Sequence, residues 1–268
     1  MYPQNPHPFQ IQRFETCDST NHRLLEAAEA GASNGLVYVT RQQLAGRGRR
    51  GRQWIASPGT SLTCSLLWVF PPDPARLQGL SLLVGLAVVR ALETRAGAIR
   101  KPGITLGLKW PNDLLIRRSD GTDAKAGGIL IESAMRRGVA GARELAVVIG
   151  IGLNCIPDTS VSDAVDYQPV GALSELFADP VTPDTVLQPI LETLTQMLGD
   201  FAVTGFAPYA EAWNAHNLWQ GQPVEIREDN KVLLQGRCDG VAVSGALRVS
   251  TPSSVEEVIS GDVSLRRV

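Results

Sequence analysis

The chain has few of the residues that build metal centres or disulfide frameworks. Its three histidines are dispersed, and its four cysteines are far apart with no Cys-x-x-Cys pair: Cys17, Cys64, Cys155 and Cys238. This spacing contains no zinc signature and argues against both a disulfide framework and a metal site built by the protein.

Excess charge of one sign and long hydrophobic runs are also lacking. The net charge is −2, which counts against a general nucleic-acid binder, since such proteins usually carry positive charge across a whole face. The polar, proline-rich start has no apolar signal region, and no later apolar run reaches a membrane span without a charge or a glycine. We therefore expect a cytoplasmic protein with no membrane partner. A hydrophobic content of 44% suits one large domain, or one large and one small domain.

The most concentrated chemistry lies in Gly46–Arg52, where four arginines alternate with three glycines. Glycine allows the backbone to approach a ligand closely, and arginine presents a charged fork of donors that matches phosphate and carboxylate oxygens. The pattern predicts a mobile cationic loop that folds over an anion. An exposed basic segment that binds nucleic acid non-specifically, or a solvated turn, is the alternative.

The first half of the chain alternates strand signals with polar clusters. A short strand at Phe9–Phe14 precedes Asp18–Asn21, a cluster of helix N-cap residues that could also offer hydroxyl and amide groups to a polar ligand. A β-branched strand at Leu36–Thr40 leads to the arginine loop, and Ser61–Phe70 is the returning strand. Trp54, between loop and strand, is either an anchor for the loop or a ligand contact.

A buried helix is predicted at Leu77–Ala96, followed by strict alternation at Ile104–Trp110. Lys109 therefore points to the face opposite the apolar row. Proline has no backbone donor and ends the strand, so Asn112 and Asp113 lie at a strand end. Both Lys109 and Asp113 are candidates for a site at this strand end. The alternatives are that Lys109 is an ordinary surface lysine and that Asp113 is an ordinary turn residue.

Two more apolar strands, at Ile129–Glu132 and Leu145–Leu153, are each bordered by a glycine-rich group. These groups are Lys125–Gly128 and Gly150–Asn154. A sheet that gathers such strand ends on one side makes a binding cleft.

The last third changes character near Leu218. An acidic loop is predicted at 157–170, and helices are predicted at 172–178, 184–203 and 206–216. Short β-type runs separated by turn residues then indicate a small antiparallel barrel. The predicted domains are 1–217 and 218–268, and the runs are Val224–Arg227, Val232–Gly236, Val241–Val243, Ala246–Val249 and Val255–Ile259.

Five motifs, in this order and spacing, resemble the biotin protein ligases, or biotin–[acetyl-CoA-carboxylase] ligases: Ser19–Asn21, Gln43 with Gly46–Trp54, Lys109–Asp113, Lys125–Glu132 and Gly150–Asn154. The resemblance is close over residues 12–155, and Ser260–Arg266 is similar to the family's final strand. It implies an α+β fold: a mixed β-sheet catalytic domain with flanking helices, of the class II aminoacyl-tRNA synthetase and biotin ligase type, plus a small C-terminal SH3-like β-barrel. Leu44 and Ala126 depart from the usual pattern without removing a group that the chemistry needs.

The resemblance also implies two half-reactions. Biotin and ATP, with Mg²⁺ carried by the ATP and no metal site of the protein, give biotinyl-5′-adenylate; a lysine of a biotin carboxyl carrier protein then takes the biotin. Family members occur as monomers and as dimers. Some carry an N-terminal helix-turn-helix and repress transcription, but Ser19 starts the first motif too early for such a domain, so we expect no nucleic-acid role.

The roles implied for individual residues form three overlapping sets. Biotin would be held by Ser19, Thr20, Asn21, Gln43, Arg47, Gly48, Arg49, Lys125 and Gly127, with Gly128 also allowing close approach and Leu62 or Ile129 forming an apolar floor. ATP would be held by Arg50, Arg52, Trp54, Asn112 and Asn154. The catalytic groups would be Arg47, Arg49, Lys109, Asp113 and Lys125.

Two other functions remain open. A lipoate–protein ligase shares the fold and the adenylation logic, and a nucleic-acid-binding module could use the arginine loop. If the protein is a nucleic-acid-binding module, its affinity for nucleic acid should fall steeply with salt, and it should form no adenylate from ATP.

Overall fold

The computed structural model describes residues 9–95, 98–138, 141–165, 168–228, 231–261 and 263–268. A mixed seven-stranded sheet forms the larger unit, and its order is β1-β2-β3-β7-β6-β5-β4. The first two strands pair in parallel and the remaining neighbours are antiparallel. The strands are β1 (Gln10–Cys17), β2 (Leu36–Gln43), β3 (Ser61–Phe70), β4 (Thr105–Lys109), β5 (Asp113–Arg117), β6 (Asp123–Arg137) and β7 (Arg143–Asn154).

Side chains on the two faces of this sheet pack against different helices. On one face, α1 (Thr20–Glu29) buries Leu24 and Ala28 in a small cluster with residues of β3 and β7. On the other face, α2 (Leu80–Glu93) and α4 (Pro183–Thr204) form the main core. The period-2 alternation of β3 decides this division, because its odd and even residues point to opposite faces.

Helix α2 is three residues shorter at each end than the predicted Leu77–Ala96. A 3-10 turn at Pro74–Leu77 precedes it, and Gly79, with φ +81°, separates the turn from the helix. Ala96 lies outside the described residues. By length and composition, Pro74–Glu93 is apolar enough to cross a membrane, but most of its apolar part is buried inside the protein, as in a core helix.

The C-terminal unit is a five-stranded antiparallel sheet with the order β11-β10-β9-β8-β12. Its strands are β8 (Pro223–Glu228), β9 (Lys231–Val241), β10 (Leu247–Ser250), β11 (Val255–Val258) and β12 (Ser264–Arg267). The predicted separation of Val232–Gly236 from Val241–Val243 was wrong, because β9 runs through to Val241. Gly236 makes no turn; a Cβ there would lie 2.4 Å from the Ser250 carbonyl oxygen, so it marks a close approach of strands.

Helix predictions in residues 157–216 were partly correct. The long α4 was predicted within one residue at each end, but 172–178 contains only a 3-10 turn at Leu173–Glu175. The 206–216 segment is a 3-10 turn followed by α5 (Ala210–Ala215). The expected loop holds a short helix, α3 (Thr159–Ala164), whose start is capped by the Asp158 side chain. The acidic residue Asp166 of that segment lies outside the described residues.

The two units meet beside the end of β4. Leu108 donates its backbone N–H to the carbonyl of His216 at 2.8 Å, and Leu218 donates to the carbonyl of Leu108 at 3.1 Å. The indole of Trp110 donates to the carbonyl of Gly245, in the turn before β10, at 3.2 Å. The predicted mixed sheet with flanking helices and a small C-terminal β-unit is confirmed, and the C-terminal unit is attached to the Lys-Trp-Pro-Asn-Asp segment.

Candidate active site

A cleft of about 1240 Å³, including the space at its mouth, opens where the polar strand ends converge. All of the residues with predicted site roles except Gly127 and Leu62 line it: Ser19, Thr20, Asn21, Gln43, Arg47, Gly48, Arg49, Arg50, Arg52, Trp54, Lys109, Asn112, Asp113, Lys125, Gly128, Ile129 and Asn154. The C-terminal unit contributes Val263–Arg266 to the same wall. These residues are spread over the whole chain, so the fold brings them together.

One end of the cleft is a neutral hydrogen-bonding pocket at the start of α1. The Ser19 side chain caps the helix by accepting from the N–H of His22. Thr20 donates its N–H to Gln43 Oε1 at 2.8 Å, and its Oγ1 lies 3.2 Å from the same oxygen. Ser65 Oγ lies 2.7 Å from Thr20 Oγ1 and 2.6 Å from Asn21 Oδ1. Since each group is held by another, the pocket is pre-arranged for a small polar ligand.

Glu132 connects this pocket to the arginine loop. Its Oε2 accepts from Asn21 Nδ2 at 2.9 Å, and its Oε1 is 3.0 Å from Arg47 Nη2. The Glu132 side chain is 19% exposed, so the ion pair is partly shielded from water. Neither Glu132 nor Ser65 was predicted to be a site residue. The available signal was a polar residue within, or at the end of, an apolar strand.

The glycine–arginine loop is a hairpin. Gly48 donates to the carbonyl of Arg52 at 2.7 Å, and Trp54 donates to the carbonyl of Gly46 at 2.9 Å. Arg50 has φ +58° and Gly51 has φ +70°, so the tip uses the left-handed region that glycine tolerates and arginine rarely adopts. The predicted opening of this loop without ligand stays a prediction.

Arg49 links the loop to two other parts of the cleft. Its Nη1 donates to Asn112 Oδ1 at 3.2 Å, and its Nη2 donates to the carbonyl of Gly261 at 2.8 Å and to Ser260 Oγ at 3.2 Å. Asn112 is itself fixed, since its Nδ2 donates to the carbonyl of Ile129 at 2.8 Å. The loop therefore contacts both the strand end after β4 and the C-terminal unit.

Asp113 lies between two lysines at the centre of the cleft. Its Oδ1 is 2.6 Å from Lys125 Nζ and its Oδ2 is 3.2 Å from Lys109 Nζ. Burial alone would raise the pKa of the Asp113 carboxyl, but the two ammonium groups outweigh it and hold that pKa well below its usual range. Burial lowers the pKa of Lys109, and Asp113 opposes that shift. Lys109 faces the cleft, away from the apolar row of β4, as the alternation predicted.

A β-bulge at Ala126 decides which residues of β6 face the ligand space. The β5 register shifts there, from Leu114 opposite Gly127 to Leu115 opposite Lys125, so Lys125 and Gly128 come to the same side. Gly128 lines the cleft, but Gly127 does not. A Cβ on Gly127 would point at Leu153 and the Gly152 carbonyl, so the position is closed to a side chain, and a contact of the Gly127 backbone with biotin stays a prediction.

The two side chains proposed for the apolar floor both face the main core. Leu62 is opposite Leu153 and Ile129 is opposite Ile151, on the side of the sheet away from Ser65 and Gly150. Ile129 also borders the cleft, and its contact with biotin stays a prediction.

Two glycines of β7 make room for polar and aromatic groups. A Cβ on Gly150 would lie 2.2 Å from Asn21 Oδ1, and a Cβ on Gly152 would lie 2.4 Å from the Trp54 ring. Trp54 thus both anchors the loop and lines the cleft. Among the described residues, the buried Trp54 Nε1 and Asn154 Oδ1 have no hydrogen-bond partner. Buried polar atoms normally have a partner, so both are candidates for contact with a bound ligand.

The sequence profile of the biotin/lipoate A/B protein ligase family matches residues 14–154, and that of the biotin protein ligase C-terminal domain matches residues 221–266. The chain therefore belongs to the biotin/lipoate A/B protein ligase family. It is 31% identical to the biotin–[acetyl-CoA-carboxylase] ligase of Paracoccus denitrificans over 246 residues, 92% of this chain and 96% of that protein. It is 30% identical to the bifunctional ligase/repressor BirA of Escherichia coli over 249 residues, 93% of this chain and 72% of that protein.

Solved structures agree with this assignment. The biotin protein ligase from Aquifex aeolicus in complex with biotin and ATP superposes with a TM-score of 0.74 at 26% identity, covering 97% of this chain and 99% of that chain. The biotin protein ligase from Leishmania major in complex with biotinyl-5-AMP superposes with a TM-score of 0.56 at 23% identity, which supports the fold.

Proposed function

We propose that this cleft joins biotin to ATP as biotinyl-5′-AMP and then transfers the biotin to one lysine of the biotin carboxyl carrier protein of acetyl-CoA carboxylase. The enzyme is an ATP-dependent biotin ligase. One observation carries the proposal: a neutral hydrogen-bonding pocket and a cationic group meet in one cleft of a chain that belongs to this family.

The neutral pocket suits the ureido ring of biotin, which has one carbonyl acceptor and two N–H donors. The hydroxyl and amide groups of Ser19, Thr20, Asn21 and Gln43 line the pocket and can supply both kinds of partner. Leu130, which lines the cleft on the same face of β6 as Gly128, offers an apolar surface for the rest of the ligand.

The cationic group suits the first half-reaction. A carboxylate oxygen of biotin attacks the α-phosphorus of ATP, and pyrophosphate leaves. Two like charges ~4 Å apart repel by about 4 kcal/mol at an effective dielectric constant of 20. Arg47 and Arg49 of the loop and Lys109 and Lys125 of the sheet converge on the cleft, so they can stabilise both anions as they approach.

ATP would be bound at the part of the cleft that is formed by the glycine–arginine loop, Asn112 and Asn154. The unpartnered Asn154 Oδ1 can accept from an amino group, and the Trp54 ring can stack on a base. Arg50 and Arg52 lie at the same cleft and suit the phosphates.

Mg²⁺ would enter with ATP. In the described part of the chain, no three His, Cys, Asp or Glu side chains group as a metal site, and Asp113 is occupied by two lysines. This donor set fits an ion held by phosphate oxygens and water, where it would neutralise phosphate charge.

In the second half-reaction the carrier's lysine nitrogen attacks the carbonyl carbon of biotin, AMP leaves, and the amine loses a proton. Asp113 was predicted to orient that lysine and help remove the proton. A carboxyl whose pKa is held so low is a poor proton acceptor, so we infer that orientation is its main contribution.

We further propose that the enzyme acts in the cytoplasm without nucleic-acid or membrane partners, as a monomer or a homodimer. The net charge of −2 supports the absence of a nucleic-acid role.

Incubation with biotin, Mg-ATP and a biotin carboxyl carrier domain tests the proposal. We expect a mass increase of one biotinyl group on a single carrier lysine, and none when ATP is left out. Excess lipoate should compete poorly in adenylate formation. Preferred use of lipoate would instead indicate a lipoate ligase, and no adenylate with either acid would overturn the proposal.

Glu132→Ala is expected to raise the KM for biotin about tenfold or more, because it removes a charge-assisted bond from both Asn21 and Arg47. Glu132→Gln keeps the shape and should have a smaller effect. The measurement is the biotin dependence of adenylate formation.

Glu144→Ala is the matched control, since Glu144 on β7 forms an ion pair at 3.1 Å with Arg136 on β6, the strand that carries Glu132, and both lie outside the cleft. An unchanged KM in Glu132→Ala would show that Glu132 does not organise the pocket.

A further inference from the structure

An aromatic ring of the C-terminal unit covers the ammonium group of Lys109. The Lys109 Nζ lies 4.7 Å from the centroid of the Trp219 ring. Both residues are 8% exposed. A cation over the face of an indole is attracted by its negative π surface, and the attraction is strongest when water is removed.

The Trp219 ring is also held at its N–H edge. Its Nε1–H donates to Asp123 Oδ2 at 2.9 Å. Arg117 donates two hydrogen bonds to the same carboxylate, from Nε at 2.7 Å and from Nη2 at 2.8 Å. Arg267 of β12 adds a second cation, 3.3 Å from Asp123 Oδ2. The ring therefore has a fixed orientation.

The backbone on both sides of the contact is also fixed. The carbonyl of His216 and the N–H of Leu218 pair with Leu108, the residue before Lys109. Trp219 donates its own N–H to Asn217 Oδ1 at 3.1 Å. The ring and the lysine are therefore placed by two hydrogen-bonded segments, Leu108–Lys109 and His216–Trp219, where the two units meet.

Lys109 has few other groups to stabilise its charge. Asp113 on β5 is shared with Lys125 on β6, and Arg266 on β12 is a second cation facing Lys109. Burial lowers the pKa of Lys109, and these two cations lower it further. The face of Trp219 replaces part of the lost hydration.

We propose that Trp219 is a positioning residue for Lys109: its indole face holds the ammonium group in the cleft, so the C-terminal unit supports adenylate formation through this contact. The role in catalysis rests on the proposed function. The contact itself does not.

The test compares Trp219→Leu, which removes the π face, with Trp219→Phe, which keeps an aromatic face but is smaller and loses the N–H. In Trp219→Leu the charged form of Lys109 is less stable, so its protonation midpoint should fall by roughly one pH unit. The alkaline limb of the pH–rate profile of adenylate formation should move to lower pH by the same amount. Trp219→Phe should recover most of both shifts.

Competitive acylation of lysines, read by mass spectrometry, measures the midpoint of Lys109 without any need for activity. Lys101, which donates to the carbonyl of Ser174 outside the cleft, is the internal control and should not move. Equal Lys109 midpoints in wild type and Trp219→Leu would overturn the inference. A wild type that forms no adenylate would overturn the proposed function while leaving the shift in midpoint measurable.

Discussion

Replacing both Arg47 and Arg49 by alanine is expected to lower the rate of biotinyl-adenylate formation by about 10³-fold or more, judged from the effect of removing single charge-stabilising donors in other active sites. Arg47 forms an ion pair with Glu132, which also bonds to the neutral pocket. Arg49 donates to Asn112, on the side of the cleft proposed for ATP. Without them the two anions of the first step lose the loop's share of the positive charge. Biotin-dependent exchange of pyrophosphate into ATP measures the loss.

Arg13→Ala is the matched control for this variant. Arg13 forms an ion pair with Asp184 at 2.9 Å, with both side chains more than half exposed, and such pairs contribute little to stability. Its exchange rate should equal that of the wild type. Near-normal exchange in the double variant would show that the loop arginines do not carry the adenylation step.

Asp113→Ala is expected to have the second large effect, because it leaves two ammonium groups unpaired in the cleft. Removing one member of a buried ionic cluster typically costs about 3–5 kcal/mol, and Lys125, at 20% exposed, can regain part of this from water, so we expect about 3 kcal/mol. Transfer from pre-formed adenylate to the carrier should also fall about 100-fold, because the incoming lysine is no longer oriented. Urea unfolding and single-turnover transfer measure the two losses separately.

The exposed carboxylate Asp184 provides the control variant Asp184→Asn, which should change neither quantity. Asp113→Asn keeps the shape and tests charge alone. Unchanged transfer in Asp113→Ala would remove the proposed role of this residue in the second half-reaction.

The same carboxylate predicts a pH dependence of stability. Because the pKa of Asp113 is lower in the folded protein than in the unfolded chain, its stabilising contribution is complete above the ordinary aspartate pKa of about 3.9 and is lost as pH falls below that value. The difference in unfolding free energy between wild type and Asp113→Asn should therefore be constant near neutral pH and shrink in acid.

Much of the cleft could be predicted because local rules and motif order agree. The alternation of β4 placed Lys109 on the ligand side without any long-range information, and the cap residues before α1 placed Ser19 at a helix start. The Gly-Ile-Gly run of β7 was associated with the site, although only the structure gives its reason: Gly150 and Gly152 leave room for Asn21 and Trp54.

What could not be predicted depends on register and on distant contacts. The bulge at Ala126 reverses the alternation of β6, which exchanges the facing of Gly127 and Gly128. The contact of Lys109 with Trp219 joins residues more than a hundred positions apart, and no local pattern in either segment specifies it. Such pairings are fixed by how the two units pack.

A crystal structure with biotinyl-5′-AMP in the cleft tests the central claim most directly. We expect guanidinium nitrogens of Arg47 and Arg49 at about 3 Å from oxygens of the carboxyl–phosphate anhydride, with the bicyclic ring in the pocket at the start of α1. Arginines that point away from the bound adenylate, with the ligand held by other groups, would contradict the account.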